Sequence, residues 1–187
     1  MSGGAIIVPD SSPLITLAAA GALDLLLAPG LPVVVPDGVH WETVRHADRP
    51  GAADIVDWLQ RRRGAVLIGA TQEFANHQLL VEAGVRRIAN MGERCAVEIV
   101  DLETARDPSA RAVMIYEDSD VNAVRLLNPD RVATLTTADF LFELEAARLI
   151  QSADHVLDLA VAAGRVDAVR GRRGSAARLF GGESGGA

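Results

Sequence analysis

The chain contains no lysine: all 18 of its basic residues are arginines. Schiff-base catalysis, a P-loop lysine and a kinase-type lysine are therefore excluded. A uniformly basic coat for nucleic acid is excluded too, because 25 acids outnumber the arginines and leave a formal charge of −7. Any anionic partner must be held by local arginines or by bound cations. Cysteine occurs once, so there is no internal disulfide framework and no CxxC metal knuckle. The apolar neighbours Ala96, Val97 and Ile99 mark Cys95 as a buried, inert thiol. His40, His46, His77 and His155 share no HExxH or HxH spacing, which speaks against a zinc site, and no GxGxxG or GxxxxGK[ST] cradle for phosphates is present. Aromatic residues make up only 4%. Trp58 lies on an apolar helix face and reads as core; Trp41 reads as core before base-stacking platform. The longest apolar run, Pro13 to Pro29, is broken by Thr16, Gly21 and Asp24 and is too interrupted to span a bilayer. Met1-Ser2-Gly3-Gly4 lacks a charged n-region, so a cytoplasmic protein without membrane attachment is expected.

What is present is a core-forming chain. Its 187 residues are 49% hydrophobic and 23% charged, enough for one ordinary domain. Short apolar runs at Ala5–Val8, Leu31–Val35, Ala65–Ile68, Ala112–Tyr116 and Arg131–Leu135 read as buried strands. Helical patterns fill the intervals. The first begins at Ser12-Pro13, with serine as cap and proline in the first helical position. Others cover Gly38–His46, Ala52–Arg63, Thr71–Ala83, Glu93–Arg106, Val121–Leu127, Ala138–Ile150 and Ala153–Ala163. Alternating strands and helices predict a three-layer α/β/α sandwich with a mainly parallel central sheet. Residues 1–165 form the body, and 166–187, rich in Gly and Arg, read as a C-terminal tail.

In open α/β sheets, ligands bind outside the carboxyl ends of the strands. Just past the first strand stands Asp10, followed by Ser11 and Ser12. Just past the fourth stand Glu117, Asp118, Ser119 and Asp120. Carboxylates gathered at one end of a sheet are costly unless a cation neutralises them. Each acid alone also has a plain structural reading. Asp10 can cap the first helix, Asp118 or Asp120 the next, Glu93 can serve as a first-turn acid, and Glu42 can be a solvated side chain.

Taken together, the acids resemble the pattern of the PIN domain family, metal-dependent nucleases that include VapC-type toxins. The opening strand and Asp-Ser-Ser-Pro-Leu-Ile, residues 6–15, is the most specific piece. Val33 to Glu42 matches the second strand and its glutamate-bearing helix. Met91-Gly92-Glu93-Arg94-Cys95-Ala96 matches a Gly-Glu motif, and Met114 to Asp120 the last acidic strand end. The resemblance spans residues 5 to 165 in family order. Tyr116 departs from the usual threonine, and the segment around Asp101 to Arg111 looks inserted. The insertion leaves Glu98, one helical turn on, as the alternative to Glu93.

The resemblance implies a PIN-like fold and a metal-dependent endoribonuclease, the toxin of a type II toxin–antitoxin pair. It assigns catalysis to Asp10, Glu42, Glu93, Asp118 and Asp120, with Asp10, Glu93, Asp118 and Asp120 as ligands for Mg²⁺ or Mn²⁺ and Ser12 supporting Asp10. Hard divalent cations suit oxygen donors, lower the pKa of bound water and clamp a leaving oxygen. Partners implied are RNA, a cognate antitoxin and a second copy in a homodimer. Arg61, Arg62, Arg63, Arg86 and Arg87 are candidate phosphate contacts, as is Arg170-Gly171-Arg172-Arg173. Two other readings remain: a PIN-fold interaction module with weak catalysis, and a metal-dependent phosphatase or other phosphoryl-transfer enzyme. For a haloacid-dehalogenase-like site, Ser12 stands where a second aspartate is needed. Without the five acids the balance is 20 against 18 arginines, so the excess charge would be mostly a metal trap.

Overall fold

A computed structural model describes residues 4–45, 51–85, 90–117 and 127–166. Five parallel strands, β1 (Ala5–Pro9), β2 (Val33–Pro36), β3 (Val66–Gly69), β4 (Arg111–Tyr116) and β5 (Val132–Thr136), form one sheet in the order β3-β2-β1-β4-β5. Ile7 pairs with Val33, Val33 with Val66, Val8 with Met114, and Met114 with Thr134. Parallel strands are covered on both faces and so carry continuous apolar runs. Edge strand β3 is the exception, with Leu67 and Ile68 half exposed.

The helices are α1 (Ser11–Ala19), α2 (Asp37–Val44), α3 (Ala52–Arg61), α4 (Gln72–Glu82), α5 (Met91–Arg106), α6 (Thr137–Ala146) and α7 (Ala153–Ala162). Strand side chains alternate between two cores, as the pleat requires. Ile7, Val33, Val35, Val113, Ile115 and Leu135 face Leu14 and Leu17 of α1, Ile55 and Trp58 of α3, and Phe140 and Leu141 of α6. Val8, Ala112, Met114 and Val132 face Ala96, Ile99 and Val100 of α5. These are the three layers of an α/β/α sandwich. Trp58 is core, its indole N–H donating to Asp24 at 2.9 Å. Cys95 is buried and burial pushes its thiol up to about 11, so it is neutral and unreactive.

Three boundaries differ from the sequence expectation. α1 starts two residues early, at Ser11, with Asp10 in the N-cap position and not Ser12. Pro13 is still accommodated, because first-turn N–H groups have no intrahelical acceptor. α6 ends at Ala146 and not Ile150: Arg148 turns to φ 61°, and Leu149 N–H closes back on Leu144 O at 2.9 Å, a Schellman-type stop. α5 starts at Met91, two residues before the expected Glu93, and ends at Arg106 as expected, where Asp107 forms a turn by accepting from Ser109 N–H and Oγ–H. The expected helix Val121–Leu127 falls, up to residue 126, outside the described residues, as does the tail from residue 167. No helix among the described residues is long and apolar enough to cross a membrane.

Candidate functional site

The chain winds outward from β1 through β2 to β3, then returns to place β4 on the other side of β1. The sheet order therefore reverses between β1 and β4. The crevice outside the carboxyl ends of these two strands is where such sheets bind ligands. Asp10 stands at the end of β1 and Glu117 just past the end of β4. Asp10 N–H donates to Ile115 O at 2.9 Å, which fixes the two strand ends against each other.

Two glutamates come in from helices. Glu42, on α2, accepts Ser11 Oγ–H at 2.7 Å through Oε2 and Gly92 N–H at 3.3 Å through Oε1. It thereby ties α1, α2 and α5 together beside Asp10. Gly92 permits this approach: a Cβ there would lie 2.6 Å from Glu42 Oε2 and 3.2 Å from Ser11 Oγ. Glu93, the next residue, acts electrostatically on Asp10 from the first turn of α5.

The electrostatic result is concentrated on Asp10. Its residue retains some surface, yet protein packs round the carboxyl closely enough that desolvation raises its pKa from 3.8 to about 7. The charges of Glu42, Glu93 and Glu117 add to the rise, while the Ser11 N–H pulls the other way. Its side chain makes no capping bond to α1, so N-cap position does not account for an acid here. A carboxyl so perturbed, in a crevice, is a functional-site feature.

Glu117 is differently placed. Thr137 Oγ–H donates to its Oε1 at 2.7 Å, and Arg165 Nη2 donates to its Oε2 at 3.0 Å. Arg165 Nε–H also donates to Thr16 Oγ1 on α1 at 3.0 Å. An arginine from the end of the body thus lies on the acidic crevice. The sequence places Glu117 at the strand end but, as one of four polar residues in a row, gives it no role of its own, and Arg165 carries no local signal beyond its position just after α7.

The structure brings Glu42, Glu93 and Glu117 within electrostatic reach of Asp10. Asp118 and Asp120 follow directly but lie outside the described residues. The hydroxyl tied to the acids is that of Ser11; among the described residues no hydrogen bond links Ser12 to an acid. Glu98 turns elsewhere, accepting Gln72 N–H at 2.8 Å and Glu73 N–H at 2.9 Å at the start of α4. Arg61, Arg62 and Arg63 lie before β3, at the amino ends of the strands and away from the crevice. Arg61 pairs with Asp57, and Arg62 forks onto Asp24. Arg86 and Arg87 lie outside the described residues. Trp41 contacts Phe74 and the buried ring of His77, while the Arg45 guanidinium stacks over it at 4.4 Å, so it joins α2 to α4.

As a metal site the donor set is all oxygen and anionic, which suits Mg²⁺ or Mn²⁺ better than zinc. A carboxyl raised to about 7 by burial, with neighbouring acids adding to the rise, is one that a cation would relieve. Among the described residues, no three His, Cys, Asp or Glu side chains stand close enough to hold an ion between them. Glu42 and Glu117 each commit both oxygens to hydrogen bonds. No family model matches the chain, and no curated protein matches it.

Proposed function

We propose that the protein is a metal-dependent endoribonuclease of the PIN type, acting in the cytoplasm as the toxin of a toxin–antitoxin pair. The observation that carries this reading is the raised pKa of Asp10 at the β1/β4 switch point, among three further carboxylates. Asp10 and Glu93 are the described residues that would hold Mg²⁺ or Mn²⁺, with Asp118 and Asp120 completing the set. The ion would supply charge neutralisation and an activated water for attack on the phosphodiester. The chain's own contribution is positioning. Ser11 and Gly92 N–H fix Glu42 beside Asp10, and the packed strand ends keep bulk water from the carboxyl, which strengthens each charge interaction there.

The test is incubation with single-stranded RNA in Mg²⁺ or Mn²⁺, then with EDTA, for the parent chain and Asp10→Asn. Metal-dependent cleavage that the variant lacks is expected. No cleavage with any metal would leave the second reading, a PIN-fold interaction module. That reading draws on Glu117, which already carries an arginine counter-ion. Hydrolysis of small phosphomonoesters alone would point to a phosphatase. Expression that arrests growth and is relieved by the product of an adjacent small gene would identify the toxin role, and sedimentation would show whether the chain is a homodimer.

A further inference from the structure

Arg165 is the described cation that ion-pairs with the acidic crevice, and its geometry exceeds what charge balance requires. The guanidinium joins three elements: Thr16 on α1, Glu117 past β4, and its own position after α7. Glu117 is held on its other oxygen by buried Thr137, so the acid that aims the guanidinium is itself fixed. The Glu117 side chain is 8% exposed, whereas that of Arg165 is 30% exposed. The pair therefore has a buried anchor and an open face. A guanidinium has five N–H groups. Among the described residues, Arg165 uses Nε–H and Nη2–H, and its Nη1 edge makes no hydrogen bond.

We infer that Arg165 contacts a phosphate of the bound nucleic acid, with Glu117 as the positioning residue that aims it; this deepens the nuclease reading above and rests on it. A phosphodiester approaching Asp10 meets Asp10, Glu42, Glu93 and Glu117, four groups of its own sign. A planar fork suits phosphate bidentately, and a fork already held loses less freedom on binding. In a chain without lysine, this guanidinium is the described side chain in the crevice with both the charge and the free edge.

The test measures binding of a labelled single-stranded RNA to the full chain carrying Asp10→Asn, in EDTA, over a series of salt concentrations. In that background Arg165→Gln is expected to weaken binding about tenfold and to flatten the slope of log affinity against log salt by about 0.7. Arg165→Lys should keep the slope and bind more weakly than the parent. Glu117→Gln keeps an oxygen that accepts from Arg165 and removes a negative charge, so it should bind at least as tightly as the parent, whereas Glu117→Ala, which leaves the guanidinium unaimed, should bind more weakly with the salt slope kept. Unchanged affinity and slope in Arg165→Gln would overturn the inference while leaving the nuclease reading intact. Equal losses in Glu117→Gln and Arg165→Lys would also overturn it, reducing the pair to a staple between elements; these two variants decide the matter if Arg165→Gln fails to fold. A parent that neither binds nor cleaves RNA would overturn the inference and the nuclease reading together.

Discussion

Two neighbouring strands of this sheet end in the same three residues. β1 closes with Val8-Pro9-Asp10 and β2 with Val35-Pro36-Asp37, and each aspartate leads straight into a helix at the same end of the sheet. Their environments are opposite. Asp37 accepts Gly38 N–H at 2.8 Å, Thr71 N–H at 3.0 Å and Thr71 Oγ–H at 2.6 Å, so both of its oxygens are used in joining α2 to the start of α4. Asp10 has only the neighbouring Ser11 N–H acting on it, no donor from a second element as Thr71 is to Asp37, and it faces three glutamates. One carboxylate is spent on structure, and the other is held in an unfavourable state that a cation would relieve. Local sequence does not distinguish them. What differs is whether the residues brought up from elsewhere are donors, as with Thr71, or acids, as with Glu42, Glu93 and Glu117.

The sharpest way to break this contrast is to neutralise Asp10. Asp10→Asn is expected to lower RNA cleavage on the order of 10³-fold or more, measured as metal-dependent turnover. The same change should stabilise the metal-free protein. The folded chain holds the Asp10 proton more tightly than the unfolded chain does, because its pKa is raised from 3.8 to about 7. Stability from this group is therefore greatest below 3.8, falls as pH rises toward 7, and is level above that. Asp10→Asn should match the parent near pH 4 and exceed it above pH 7 by about 2 to 4 kcal/mol, the lower figure allowing for the surface Asp10 keeps. Denaturation at several pH values checks this. Added Mg²⁺ or Mn²⁺ should close the gap by stabilising the parent alone; a parent more stable than the variant at pH 8 without metal would remove the basis for the contrast.

The complementary change is Asp37→Ala. It orphans the N–H and hydroxyl of buried Thr71 and frees the start of α4. A loss of about 3 kcal/mol in unfolding free energy is expected, with cleavage per folded molecule near the parent's. Asp10→Asn gains stability and loses activity; Asp37→Ala loses stability and keeps activity. Smaller is the effect of Gly92→Ala, whose Cβ would overlap Glu42 Oε2. Displacing Glu42 from Ser11 should cost about 1 to 2 kcal/mol and lower cleavage, and Ser11→Ala should reproduce the loss of activity without the steric cost.

How far the sequence could be read follows the same division. The strands were legible because parallel strands covered on both faces leave uninterrupted apolar runs, as at Ile6-Ile7-Val8 and Val33-Val34-Val35. Asp10 stood out by its place after a strand and Glu93 by its place at a helix start, whereas Glu42, late in α2, was singled out only by the family resemblance. Partners were not legible. That Ser11 and not Ser12 reaches Glu42 depends on the exact start of α1, two residues from the expected place. That Arg165 joins the crevice depends on a contact with Thr16 from 149 residues earlier in the chain. The arginine run Arg61-Arg62-Arg63 was conspicuous in sequence and lies at the other end of the sheet.

The smallest predicted effect separates Glu93, which carries the Gly-Glu motif, from its alternative Glu98 further along the same helix. Glu98 caps α4 through Gln72 and Glu73 N–H, so it belongs with Asp37. Glu98→Gln keeps one acceptor but loses the charge that complements the helix dipole. It is expected to cost about 1 kcal/mol and to leave cleavage unchanged. Glu93 acts on Asp10 and belongs with the crevice. Glu93→Gln should lower cleavage and leave the stability of the metal-free protein level or slightly raised at pH 8, since a like charge near Asp10 is removed. Parallel unfolding and cleavage measurements on the two variants check the assignment. If Glu98→Gln were the one to lose cleavage, the sorting of acids by their hydrogen-bond donors would fail where the two kinds stand closest in sequence.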